Sequence, residues 1–186
     1  MSKSILILNG SPRKKGNTAV LAGQVYAGAK KGGAEIESVY LSGLDISPCD
    51  ACDACQEGDG GCIVEDDMQS LYPKLTQADV IVIASPIYFF TISAQTKLCI
   101  DRWYALERGE WNALRGKQLA IVLVYGDTDL YTSGGINAIH TFESLSRYIG
   151  LEIAGMVYGT AWQIGDAEKQ PELMAKAFKL GETLAV

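Results

Sequence analysis

Residues 4–18 read SILILNGSPRKKGNT, and the change of character at Asn9-Gly10 decides the fold. Ser4 to Asn9 is a short, nearly continuous apolar run, the pattern of a strand buried on both faces. Gly10, Ser11 and Pro12 are turn formers. From Asn17 the pattern becomes helical, with Val20, Leu21 and Val25 on one face of a segment reaching Lys31. The stretch is therefore a strand, a turn and a helix, and such a turn aims free backbone N–H groups and the positive helix end at an anion.

Working outward, the same alternation recurs. Further strands are expected at Glu35–Leu41, Ala78–Ser85, Gln118–Tyr125 and Leu151–Tyr158, and further helices at Asp67–Gln77, Ile92–Glu107, Ile136–Ile149 and Pro171–Leu184. Parallel strands need covering crossovers, so the order βαβαβαβαβα predicts a three-layer α/β protein with a doubly wound five-stranded parallel sheet. Five strands favour the order 2-1-3-4-5. No repeat or linker interrupts the chain, so residues 1–186 are read as one domain.

Composition narrows the function. Hydrophobic residues make up 48% and charged residues 20%, which suits a folded core and excludes a disordered chain. The net charge of −6 comes without a basic block, so nucleic acid is not an expected partner. No apolar run approaches the ~20 residues of a membrane span, and Ile5 to Leu8 is too short for a signal-peptide core. A cytoplasmic protein is expected.

In the first turn, Ser11, Asn17 and Thr18 supply short side chains able to donate to phosphate oxygens, and Arg13 and Lys15 add charge. Gly16 permits a tight turn into the helix, where Ala19 follows. The patterns GxxxxGK[ST] and GxGxxG are both absent, so the loop suits a terminal monophosphate better than a triphosphate or pyrophosphate.

Three segments carry a family resemblance. NGSPRKKGNT at residues 9–18 resembles the phosphate loop of the NAD(P)H-dependent FMN reductase and iron–sulfur flavoprotein group of the flavodoxin-like superfamily. SPIYFFTISAQTK at residues 85–97, followed by Asp101-Arg102, is similar to a second pattern of that group. Residues 49–68 resemble its cysteine segment. The resemblance implies bound FMN, with NAD(P)H as electron donor and a small-molecule electron acceptor such as a quinone or a free flavin. It implies no dedicated catalytic side chain, because the cofactor carries the chemistry. The turns after strands one and three both fall at the switch point of a 2-1-3-4-5 sheet, where ligands bind. Pro86, Ile87, Tyr88 and Phe89 are accordingly expected along the flavin ring, with backbone N–H groups at the ring edge and Tyr88, Phe89 and Phe90 as an aromatic wall. Tyr125, Gly126 and Asp127, after strand four, would border the ring's far end, with Asp127 held away from the phosphate.

Cys49, Cys52, Cys55 and Cys62 fall within the long irregular stretch Ser42–Glu65. A loop of that length is usually functional. The two-residue spacings resemble [4Fe–4S] ligation, with Gly58, Gly60 and Gly61 allowing the chain to fold back. Acidic Asp50, Asp53, Glu57 and Asp59 oppose four clustered thiolates. Free or redox-active thiols, and less readily zinc, remain open. With a cluster the chain would be an iron–sulfur flavoprotein drawing single electrons, with ferredoxin as a partner. Cys99 is expected as a small buried hydrophobe and His140 as structural. Lys97, Asp101 and Arg102 read as a helix pairing or a subunit contact. Trp103, Tyr104 and Trp111 suit either the core or an interface of a homodimer or homotetramer.

Overall fold

Side chains alternate across a strand, and the alternation divides the core into two layers. The computed structural model describes residues 2–57, 60–107 and 113–186. In β1 (Ser4–Asn9), Ile5 and Ile7 face one way and Leu6 and Leu8 the other. β3 (Val80–Tyr88) does the same with Val80, Val82 and Ala84 against Ile81 and Ile83, and β5 (Gln118–Tyr125) with Ala120, Val122 and Val124 against Leu119, Ile121 and Leu123. These strands are buried on both faces, so only helices on both sides can cover them.

The sheet runs β2-β1-β3-β5-β6, with β2 at Glu35–Tyr40 and β6 at Glu152–Thr160. All four of those pairings are parallel. The expected 2-1-3-4-5 order is thus realised. The sequence reading missed the short β4 (Thr91–Ile92), which folds back antiparallel onto Ile87 and Tyr88. Helices α1 (Asn17–Lys31) and α5 (Pro171–Leu184) cover one face; α2 (Met68–Gln77), α3 (Ala94–Asp101) and α4 (Gly135–Ile149) cover the other. The helix expected over Ile92–Glu107 is shorter, passing into a 3-10 turn at Arg102–Leu106. Helices α1 and α5 touch backbone to backbone: a Cβ on Gly28 would lie 2.0 Å from the Phe178 carbonyl oxygen, and one on Gly181 2.1 Å from that of Val25.

Trp103 is 3% exposed and belongs to the core, whereas Tyr104 is exposed. Trp111, Gly58 and Asp59 lie outside the described residues. Cys99 is buried as expected, and burial pushes its thiol pKa up to about 12. Among the described residues no helix is long and apolar enough to cross a membrane.

Candidate functional site

The site lies where β1 and β3 end, and buried hydroxyls tie those ends together. Gly10 donates its N–H to the Ala84 carbonyl at 2.8 Å. The Ser93 hydroxyl donates to the Gly10 carbonyl at 2.7 Å, and the Ser93 N–H donates to the Ser85 hydroxyl at 3.0 Å. Ser93 also caps α3 by accepting from the Thr96 N–H. A Cβ on Gly10 would fall 1.9 Å from Thr96 Oγ1, so the phosphate loop sits directly on the start of α3.

A cleft of about 560 Å³ opens beside this junction. Ser11, Arg13, Gly16, Asn17 and Thr18 line one end, Pro86 to Phe89 another, and Val124 to Gly126 a third. Its volume falls within the range of small-molecule and cofactor sites. Among the described residues of the lining, Arg13 alone is charged. Among the described residues neither acid nor histidine lines it, so its charge favours an anion. Burial is the main cause that pushes the Tyr125 hydroxyl pKa up, helped by Tyr158 and Asp129, so this group stays neutral.

The phosphate end is built from backbone. The Ser11 N–H donates to Asn9 Oδ1 at 3.0 Å, and the Ser11 hydroxyl accepts from the Arg13 N–H at 3.2 Å, which shapes the turn. The Tyr40 hydroxyl donates to the Pro12 carbonyl. Helix α1 starts at Gly16 with no side-chain cap and no acid in its first turn. Its opening N–H groups, at Asn17, Thr18 and Ala19, therefore have no intrahelical acceptor and suit an external anion. The donor set fits a monophosphate.

Several expected residues sit elsewhere. The Lys15 side chain is exposed and does not line the cleft. Ala19 borders a smaller neighbouring cavity with Tyr26 and Tyr40, leaving only its N–H for the phosphate end. Asp127 does not line the cleft; its carboxylate accepts from the Thr128 N–H at 2.7 Å, inside its own turn. The Asn17 side chain lines the cleft but gives its amide hydrogens to the carbonyls of Ala161 and Gln163. Those partners belong to a loop the sequence reading missed. Ala161, Trp162, Gln163 and Ile164 line the cleft. An exposed tryptophan directly after the last strand was the available signal.

The ring wall has an unusual backbone. Tyr88 to Thr91 form a two-residue hairpin whose central residues, Phe89 and Phe90, have φ of +44° and +69°. Positive φ at both centres marks the turn geometry that Asn-Gly normally fills. Phe89 is 97% exposed and Phe90 59%. The turn is braced from α4: Asn137 Nδ2 donates to the Phe90 carbonyl at 3.0 Å, and Gly134 (φ +75°) packs so closely that a Cβ there would lie 2.5 Å from Phe90 Cα.

The cysteine segment is tied down by a buried arginine. Arg102 is 2% exposed and donates to both carboxylate oxygens of Asp66, at 2.5 and 3.3 Å, to the Ser47 carbonyl at 2.9 Å and to Cys62 Sγ at 3.2 Å. Burial raises the Asp66 pKa, but the Arg102 guanidinium and the N–H groups of Ser47 and Met68 outweigh it and hold the carboxyl below its usual range. Arg102 is thus an internal anchor, while Lys97 and Asp101 form an exposed pair at 2.5 Å. Cys49 and Cys52 are exposed, Cys55 is buried and Cys62 intermediate. Among the described residues no three cysteine, histidine or acidic side chains form a set able to hold a metal ion. The expected convergence of Cys49, Cys52, Cys55 and Cys62 is therefore not realised in this structure.

With this geometry in view, the comparisons with known proteins agree. Residues 4–156 match the family described as NADPH-dependent FMN reductase. An iron–sulfur flavoprotein of Methanosarcina thermophila is 36% identical over 155 residues, covering 83% of this chain and 80% of that one. Another, from Archaeoglobus fulgidus, is 30% identical over 188 residues, covering 98% of this chain and 79% of that one. The solved structure of the Trp repressor binding protein from Bacillus subtilis superposes with a TM-score of 0.72 at 28% identity, covering 95% of this chain and 99% of that one.

Proposed function

Because this chain belongs to the NADPH-dependent FMN reductase family, we propose that it is an FMN-dependent NAD(P)H oxidoreductase that delivers electrons to a quinone, a free flavin or a similar small acceptor. One observation carries the reading. The cleft pairs an uncapped helix N-terminus and Arg13 at one end with aromatic and backbone surface at the other, and among the described residues no acid or histidine lines it. Bound FMN supplies the hydride-accepting chemistry. The chain's own residues bind and orient. The N–H groups of Asn17, Thr18 and Ala19, the Thr18 hydroxyl and Arg13 hold the phosphate. Ile87 and the Tyr88–Phe89 turn present backbone to the ring edge, where an N–H would stabilise negative charge arriving on reduction. Tyr125 serves as a neutral hydrogen-bonding hydroxyl. Phe89 leaves an apolar surface at the mouth for a second planar ring.

The test is anaerobic mixing of FMN-loaded protein with NADH and with NADPH, followed at the flavin absorbance. Bleaching by at least one nucleotide, then recovery on adding a quinone, is expected. Failure of both nucleotides to bleach the flavin would end this reading.

The four-cysteine spacing and the two iron–sulfur flavoprotein relatives favour a second reading, in which the chain carries a [4Fe–4S] cluster and accepts single electrons from ferredoxin. Such a cluster would need the four thiols drawn closer together than the described residues place them. Iron and sulfide analysis of protein purified and reconstituted without oxygen decides it; metal-free protein removes the reading. A homodimer or homotetramer is part of this proposal, and light scattering measures the mass in solution.

A further inference from the structure

Asn17 is buried at the mouth of the phosphate loop, yet its side chain serves a distant part of the chain. Nδ2 donates to the Ala161 carbonyl at 3.2 Å and to the Gln163 carbonyl at 2.8 Å, while Oδ1 accepts from the Ala167 N–H at 3.2 Å. Both amide hydrogens are used, so no side-chain donor remains for a phosphate oxygen. The orientation of the carboxamide is dictated by its partners: two carbonyls face one atom and an N–H faces the other. The two gripped carbonyls flank Trp162.

Trp162 lines the cleft and is 69% exposed. Its indole lies on the bare backbone of Gly126, where a Cβ would fall 2.2 Å from Cε3 and 2.7 Å from Cζ3. The loop is also joined to the sheet through the Ala161 N–H, which donates to the Tyr125 carbonyl at 2.8 Å. Its attachment to α1 runs through Asn17.

We propose that Asn17 is a positioning residue, a clasp that holds the 161–167 loop against the first turn of α1 so that Trp162 stands as a wall for the flavin ring. The inference rests on the FMN reading above and goes beyond it. It makes the phosphate end and the ring end of the site one mechanical unit, and it assigns to Trp162 a ring contact. Losing the clasp should therefore weaken binding of the ring itself, whether or not a phosphate is attached.

The experiment compares FMN with riboflavin, which lacks the phosphate, by flavin fluorescence titration of the full chain freed of flavin. Asn17→Ala and Trp162→Ala are expected to raise the Kd of both ligands by a common factor, on the order of tenfold. Trp162→Phe should recover most of that loss. Thr18→Ala, on the phosphate side, should weaken FMN and leave riboflavin unchanged. Hydrogen exchange in the flavin-free protein supplies an independent readout: the Ala167 amide should exchange faster in Asn17→Ala and keep its protection in Trp162→Ala, because its bond is to Asn17 and not to the tryptophan. If Asn17→Ala weakens FMN alone, Asn17 is a phosphate ligand and the clasp is wrong. Unchanged Ala167 exchange in Asn17→Ala overturns it equally. Wild-type protein that binds neither flavin would instead refute the FMN reading and the ring contact, while the exchange measurement still judges the clasp.

Discussion

Phe89 combines φ of +44° with 97% exposure, and exchanging it for asparagine separates what that residue costs the fold from what it does for the site. A left-handed conformation costs an ordinary L-residue roughly 1–2 kcal/mol, and asparagine is among the few side chains that adopt it readily. Almost none of the ring is buried, so removing it forfeits under about 0.3 kcal/mol of hydrophobic stabilisation. The balance favours Phe89→Asn by about 1 kcal/mol, which in a domain of this size raises Tm by about 2–4 °C. Thermal unfolding of flavin-free protein is the appropriate assay, because bound ligand would add its own stabilisation. In steady-state kinetics the same variant should show a KM for the nucleotide or quinone raised roughly 2- to 10-fold, the effect of losing one aromatic contact. Phe90 is the control. Its ring is partly buried and its backbone is packed against Gly134 and bonded to Asn137, so Phe90→Asn should bring no gain in Tm. An unchanged or lowered Tm in Phe89→Asn would refute the strain argument, and unaltered kinetics would refute the role at the mouth.

Asp66→Asn leaves Arg102 buried without its counter-charge and should destabilise the protein by about 3–5 kcal/mol at neutral pH, measured by urea unfolding. The Asp66 pKa is depressed in the folded state, so its stabilising contribution is complete above the unfolded value near 4 and is lost as pH falls through the folded one. The stability gap between wild type and Asp66→Asn should accordingly narrow below about pH 4; a gap constant from pH 7 to pH 3 would contradict the pairing. Arg102→Met strands the Asp66 carboxylate in turn and should loosen the segment that carries the cysteines, seen as faster amide exchange across residues 45–68. Gly126→Ala places a methyl where the Trp162 ring now lies. The ring can swing outward, so the fold should persist with altered tryptophan fluorescence and a raised Kd for FMN; an unchanged emission spectrum would show that the two do not touch.

The strands and helices were legible because their signal is local. Ser4–Asn9 and Gln118–Tyr125 are apolar runs, and the helices Asn17–Lys31 and Pro171–Leu184 begin at residues that suit a helix start, so periodicity and the punctuating residues set their limits. The position of the cleft followed from strand order, since a 2-1-3-4-5 sheet has one switch point and two informative turns flank it. Membership of the family was likewise carried by the residues of those turns. What tertiary structure alone decided are contacts between groups far apart in the chain. Asn17 looks like a phosphate donor until its partners at Ala161, Gln163 and Ala167 are seen, and no local pattern marks an amide that will be consumed nearly 150 residues away. Arg102 reads as part of a helix pairing or a subunit contact, but in the fold it is buried in the turn after α3 and paired with Asp66 from the cysteine segment. The Phe89-Phe90 turn defies local propensity because β4 must pair with β3 and α4 braces the result. The cysteine spacing permits convergence on one ion, but spacing governs only how close thiols can come; where each side chain points is set by what the segment packs against.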